Sequence, residues 1–188
     1  MRGNTFIKAF GLVTLFLLFS RFSDDPSSLV NGTVPSFTVM ATDSTVIDKD
    51  FFHSKATIIN FYSWACIPCR QEIGMLIKLA SEFDVTEISI LIITTDNPKK
   101  ILKHFSDKND GDNAAKKFAI EANKIKIVSD ADRALYSKFH VRPTPATFFI
   151  DDKGIIREYF LGFPDHQDDA DLLYRAFKEK VQNILFRR

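Results

Sequence analysis

The chain has 188 residues, 45% hydrophobic and 26% charged, which suits one domain with a core of ordinary size and argues against two. Its formal net charge is +1, so bulk electrostatics gives no pointer to a nucleic-acid backbone or a strongly acidic partner. The only two cysteines, Cys66 and Cys69, lie three positions apart. A bond between them closes too short a loop to staple a fold, and a disulfide-framework protein is excluded. Nineteen phenylalanines point to cores and apolar segments, with no functional weight of their own.

Residues 1–23 have the layout of an export signal: Arg2 and Lys8, an uncharged run from Phe10 to Phe19, then a polar exit at Ser20 to Asp25. The run falls short of the about 20 residues that span a bilayer. No clean cleavage site follows, because Arg21 stands where a small residue helps cleavage. A signal peptide and a short uncleaved membrane anchor both remain open. Residues 24–34, rich in Ser, Asp, Pro, Asn and Gly, read as a linker, and residues 35–188 as the folded domain.

Phe37–Met40 and Ser44–Ile47 are expected as two short strands around a turn at Thr42-Asp43. Ala56–Tyr62, almost continuously β-branched and aromatic, has the character of a strand buried on both faces. It runs into Ser63-Trp64-Ala65-Cys66-Ile67-Pro68-Cys69-Arg70. From Pro68, apolar residues at Ile73, Leu76, Ile77, Ala80 and Phe83 follow helical spacing. A strand thus delivers both thiols to the first turn of a helix, where the helix N-terminus favours a thiolate. That is redox chemistry.

Ile88–Ile93 is the next buried strand, and Thr94-Thr95-Asp96-Asn97-Pro98 opens a helix through Phe105. A charged stretch at 106–123 reads as an insertion. Lys124–Val128 alternates like an exposed or edge strand, and Ser129-Asp130 is expected to cap a helix from Ala131 to Phe139. Ala146–Ile150 and Ile155–Phe160 flank the turn Asp151–Gly154 and predict a hairpin. A last helix from about Asp168 carries Leu172, Leu173, Ala176, Phe177, Val181, Ile184 and Leu185 on one face. The order gives an α/β domain with parallel core strands, an antiparallel hairpin and helices on both faces.

The run Asn60–Glu72 around the cysteines, followed much later by Val141-Arg142-Pro143-Thr144-Pro145-Ala146-Thr147-Phe148-Phe149-Ile150-Asp151, resembles the thioredoxin fold, in particular the TlpA/ResA-like, AhpC/TSA-related branch. The resemblance covers roughly residues 35 to 185. It implies a central mixed sheet flanked by helices, with extra N-terminal strands and an insertion before the penultimate core helix. It also implies a thiol:disulfide oxidoreductase that reduces protein disulfides outside the cytoplasm. Cys66 is then the nucleophile and Cys69 the resolving thiol, with no cofactor beyond this redox-active pair.

Further roles follow from the same resemblance. Pro145 takes the place of the family's cis-proline, which leaves the backbone of Thr144 free to pair with an extended substrate. Glu72, one turn beyond Cys69, matches a carboxylate that moves protons, although a solvated helix glutamate is the plainer reading. Asn60 stands where thioredoxin proper has a buried aspartate. Trp64 is a substrate-side residue one position earlier than the family's tryptophan, with Ala65 in that place, and Gly74 replaces a helix-kinking proline. The implied partners are protein thiol or disulfide substrates, an upstream electron donor, and the inner membrane if residues 1–23 stay attached.

Three other readings compete. A zinc or copper chaperone needs further ligands, yet His53, His104, His140 and His166 fall singly in different elements. A peroxidase centred on Cys66 expects a threonine three positions earlier, where Ser63 stands. A tethered binding module has only the charged 106–123 stretch as a partner surface, and such a run suits a solvated face.

Overall fold

A computed structural model describes residues 25–99, 124–163 and 167–187. The expected leader, the helix continuing beyond Lys99 and the 106–123 insertion lie outside those residues. The elements in chain order are β1 (Val39–Met40), β2 (Val46–Ile47), β3 (Ala56–Tyr62), α1 (Ile67–Ser81), β4 (Ile88–Thr94), β5 (Ile125–Ser129), α2 (Ala134–Lys138), β6 (Ala146–Asp151), β7 (Ile156–Leu161) and α3 (Gln167–Leu185).

Five strands form one sheet in the order β5-β4-β3-β6-β7. β3, β4 and β5 run parallel, while β6 and β7 add an antiparallel hairpin beside β3. Every residue of β3, β4 and β6 is buried, which accounts for their unbroken apolar character.

One side of the sheet packs Ile58, Tyr62 and Ile90 against Ile73, Leu76 and Leu79 of α1 and Phe177 and Val181 of α3. The other packs Phe61, Leu91 and Phe148 against Leu135 and Tyr136 of α2 and against Phe139.

Residues 25–34, expected as a linker, are part of this second layer. Asp25 accepts from Ser27 N–H to start a 3-10 turn over Pro26–Leu29. Asn31 and Val34 then donate to the carbonyls of Ile156 and Gly154, and Thr33 bridges Ile155. At the opposite edge Ala41 bridges Val128, and Thr42 N–H donates to Ile127. Leu29, Val34, Phe37 and Val39 line the belt between, so one N-terminal stretch covers apolar surface and part of both sheet edges. Composition marked it as polar; its backbone pairing was not visible in composition.

Two helix expectations also shift. α2 begins at Ala134, not Ala131, behind Arg133 in the left-handed region at φ 61° with no side-chain cap. Asp130 still serves the helix: its carboxylate accepts from the N–H groups of Leu135 and Tyr136. In α3, Leu172 is 59% exposed, and the buried stripe is Leu173, Phe177, Val181 and Ile184. The i, i+4, i+8 spacing from Leu173 places its neighbour off the stripe.

Candidate active site

β3 ends at Tyr62 in the middle of the sheet, and a turn closed by Cys66 N–H to the Ser63 carbonyl leads directly into α1. Cys66 is the N-cap of that helix and Pro68 lies in its first turn, where the missing N–H costs nothing. The Cys69 N–H donates to Cys66 Sγ at 3.1 Å. Cys66 and Cys69 form a disulfide with their Cα atoms 5.2 Å apart. Cys66 is partly exposed, whereas Cys69 is 1% exposed. Of the two, Cys66 is the one open to attack from outside.

The loop before β6 closes over the pair. Thr144–Pro145 is a cis peptide bond, and the Thr144 carbonyl oxygen lies 3.5 Å from Cys66 Sγ. The Pro145 carbonyl accepts from Gly162 N–H at the end of β7, which ties the loop to the hairpin. Thr144 is partly exposed beside the sulfur, and Ile67 and Leu161 are exposed apolar residues, 62% and 53%. A cleft of about 590 Å³ continues from this loop along Arg142, Pro143, Tyr159 and Leu161 to Asp25. A second cavity, about 660 Å³ between Phe37, Phe52, His53 and Lys153, sits at the other end of the sheet, away from the cysteines.

Behind the disulfide lies a buried polar network. Glu72, one turn after Cys69 in α1, is 1% exposed, not solvated. Its Oε1 accepts from Thr147 Oγ1 at 2.6 Å, and Asn60 Nδ2 donates to the same hydroxyl at 2.8 Å. The register that pairs Asn60 with Thr147 across β3 and β6 brings these two residues together. Glu72 Oε2 and Asn60 Oδ1 have no partner. Burial pushes the Glu72 carboxyl up from 4.5 to about 7, against the lowering effect of the Thr147 hydrogen bond and of the nearby Asn60 amide. A carboxyl raised toward neutrality thus lies one helical turn beyond the buried Cys69.

Trp64 is partly buried, and Arg70 of α1 holds its guanidinium 5.7 Å from the indole centroid. Ala65, next to Cys66, is exposed. Gly74 is exposed on the solvent side of α1. The structure therefore brings Cys66, Cys69, Glu72, Thr144 and Pro145 together, with Trp64 at the rim. Thr147, and Asp96, whose carboxylate accepts from the Trp64 N–H at 2.6 Å, were not among the expected site residues. The signal for Thr147 was the strand pairing, since it falls opposite Asn60. Among the described residues, no group of three or more His, Cys, Asp or Glu side chains is arranged to hold a metal ion.

A redox-active cysteine pair at the head of the first long helix, faced by a cis-proline loop, defines a thioredoxin-fold protein. The chain belongs to the AhpC/TSA family, whose model matches residues 30–159. Over 182 residues it is 27% identical to the thiol:disulfide interchange protein DsbE of Pseudomonas fluorescens biotype C, covering 92% of this chain and 93% of that one. It is 22% identical to the thiol-disulfide oxidoreductase ResA of Geobacillus kaustophilus, with 78% of each chain covered. A crystal structure of a thiol:disulfide interchange protein from Chlorobium tepidum superposes with a TM-score of 0.59 at 16% identity, covering 81% of this chain and 95% of that one.

Proposed function

We propose that the protein is a thiol:disulfide oxidoreductase that reduces protein disulfides outside the cytoplasm through a dithiol–disulfide cycle of Cys66 and Cys69. The observation that carries this reading is the partly exposed Cys66 at a helix N-terminus, disulfide-bonded to the buried Cys69. The relatives named as thiol:disulfide interchange proteins and oxidoreductases, matched over most of their length, support it.

In the reducing direction the Cys66 thiolate attacks one sulfur of a substrate disulfide. A mixed disulfide forms, and the first substrate thiolate leaves and takes a proton from water. Cys69 then gives its proton to Glu72 and attacks Cys66 Sγ, which breaks the mixed disulfide and releases the second substrate thiolate. The proton on Glu72 neutralises that thiolate by way of solvent. Two electrons pass from the pair to the substrate, and the Cys66–Cys69 disulfide remains. A dithiol donor must reduce that disulfide before the next turnover.

Pro145 presents no N–H toward the cysteines, so the Thr144 backbone is the group offered to an extended substrate segment. Trp64 and the exposed Ile67 and Leu161 give this segment an apolar rim. Residues 1–23 supply the export signal or the tether to the inner membrane in this reading. Among the described residues no helix is long and apolar enough to cross a membrane.

The test is trapping. A Cys69→Ser variant should accumulate mixed disulfides through Cys66, resolved by non-reducing electrophoresis and released by a reductant. A Cys66→Ser variant should trap none. Absence of trapped protein in extracytoplasmic extracts, or a reduction potential near the strongly oxidising end at about −120 mV, overturns the reductase reading.

A further inference from the structure

The segment Ser63–Cys66 lies between the end of β3 and the start of α1, where the sheet ladder no longer supports the backbone. Unpaired backbone groups at such a place are costly, and a loop left loose carries its functional side chain with it. At Trp64 both backbone groups are instead held by charged side chains from two different elements. The Trp64 N–H donates to Asp96 Oδ2 at 2.6 Å, and the Trp64 carbonyl accepts from Arg70 Nη1 at 3.2 Å.

Each clamp is itself fixed. Asp96 follows β4, and its own N–H donates to Thr94 Oγ1 at 3.1 Å, with Thr94 fully buried. Arg70 is one residue past Cys69; its N–H donates to the Cys66 carbonyl at 3.3 Å while its guanidinium reaches back to Trp64 and lies near the indole. The segment is further secured from below, because the Tyr136 hydroxyl donates to the Tyr62 carbonyl at 2.8 Å. Both charges also reach the Tyr62 hydroxyl, which burial pushes up to about 12 while Arg70 opposes and Asp96 adds to the rise.

We propose that Asp96 and Arg70 are positioning residues for Cys66: they pin Trp64 from opposite sides and so hold the sulfur over the Cys69 N–H and beside the Thr144 carbonyl. This rests on the exchange chemistry proposed above but concerns the placement of the nucleophile, not its substrate. The clamp also explains the exposed Ala65. With Trp64 drawn toward Arg70 and its backbone bound at both ends, the residue that directly precedes Cys66 is small and open to an incoming chain.

Charge and position act in opposite senses at Asp96, which makes the proposal testable. Among the described residues, the charged groups on the segments that carry or contact the Cys66 loop are Arg70 and Glu72 on α1, Asp96 after β4, and Arg142 two residues before Thr144. Removing the Asp96 charge alone favours a neighbouring thiolate, whereas releasing the loop removes the thiolate from its N–H donor and disfavours it.

The experiment measures the rate of Cys66 alkylation by iodoacetamide against pH in the reduced, full-length protein, with thermal unfolding recorded in parallel. Asp96→Asn keeps an acceptor for the Trp64 N–H and removes the charge; its profile should lie at or below the parent's midpoint. Asp96→Leu removes both, and its reactivity near neutral pH should fall roughly tenfold as the thiolate fraction drops. Arg70→Met should fall in the same direction, with Arg70→Lys partway back toward the parent. Coincident profiles for the Asn and Leu variants overturn the proposal, as does an Arg70→Met profile that matches the parent. The alkylation readout needs no turnover. A parent that alkylates normally yet reduces no protein disulfide therefore counts against the proposed function and leaves the clamp to be judged on these profiles.

Discussion

The two sides of the central sheet are built by the same strands but differ in how their polar groups are satisfied. On the side facing α2, Phe61 packs against Tyr136, Phe139 and Phe148 with ring centroids 4.9, 5.2 and 5.9 Å apart. The buried polar groups of the strands and of α2 are matched there: the Thr57 and Ser89 hydroxyls pair at 2.9 Å, Tyr136 reaches the Tyr62 carbonyl, and both carboxylate oxygens of Asp130 accept backbone N–H groups, while His140 Nδ1, in the turn after α2, has no hydrogen-bond partner. On the side facing α1, a buried carboxyl and a buried amide each keep one oxygen without a partner. A matched interior is a structural solution; the unmatched carboxyl one turn beyond Cys69 is the group that moves a proton in the proposed mechanism.

The comparison predicts that damage on the two sides has different signatures. The largest effect on stability belongs to the aromatic side. Phe148→Ala empties a site with no exposed surface between Phe61, Phe139 and Tyr159 and should cost about 4 kcal/mol, seen in denaturant unfolding. The folded variant should keep the parent's rate of Cys66 alkylation; a changed rate would break the division between the two sides.

Glu72→Gln should act on the other side with the sign set by linkage. Because burial raises the folded pKa from 4.5 to about 7, the native state holds a proton that the unfolded state has lost between those values. The contribution of Glu72 to stability is therefore fullest below about pH 4.5 and is lost as pH rises through about 7, by roughly 3 kcal/mol in all. The Gln variant should lack this fall and be the more stable protein above pH 7 on the same unfolding curves. It should also lose the corresponding step in the pH profile of exchange, so a stability slope that persists in the variant would assign it to another group.

The smallest effect lies on the solvent side of α1. A methyl group added at Gly74 meets nothing within 4 Å, so Gly74→Ala should stabilise the protein by about 1 kcal/mol through helix propensity alone. Thermal unfolding should register the gain and the exchange rate should not move. A loss of activity would show that the exchange step needs a pliant α1.

Much of this was legible locally. β3 and β4 announced themselves as apolar runs, α1 by its spacing, the hairpin by Asp151–Gly154, and the cysteine pair with Thr144-Pro145 by two separated motifs. The burial of Glu72 had a signal as well: counted from Cys69, the steps to Glu72, Leu76 and Leu79 follow one helical stripe. What stayed hidden depends on partners far apart in the chain. Thr147 meets Glu72 across 75 positions and Asp96 meets Trp64 across 32, contacts that no local window contains. The belt at 25–34 was hidden for the same reason, since polar residues bound through their backbone look like a linker.

The sulfur that caps α1 has one more implication. Cys66 Sγ is the acceptor that the first turn of the helix needs and, in the proposed cycle, the atom that reacts. Ionising it strengthens the cap, and by thermodynamic reciprocity any influence that tightens the first turn raises the thiolate population by the same factor. Fraying of the helix and acidity of the thiol are in that sense one equilibrium observed from two ends. A hydrogen-exchange measurement on the Cys69 amide in the reduced protein then reports on nucleophile readiness without touching the nucleophile.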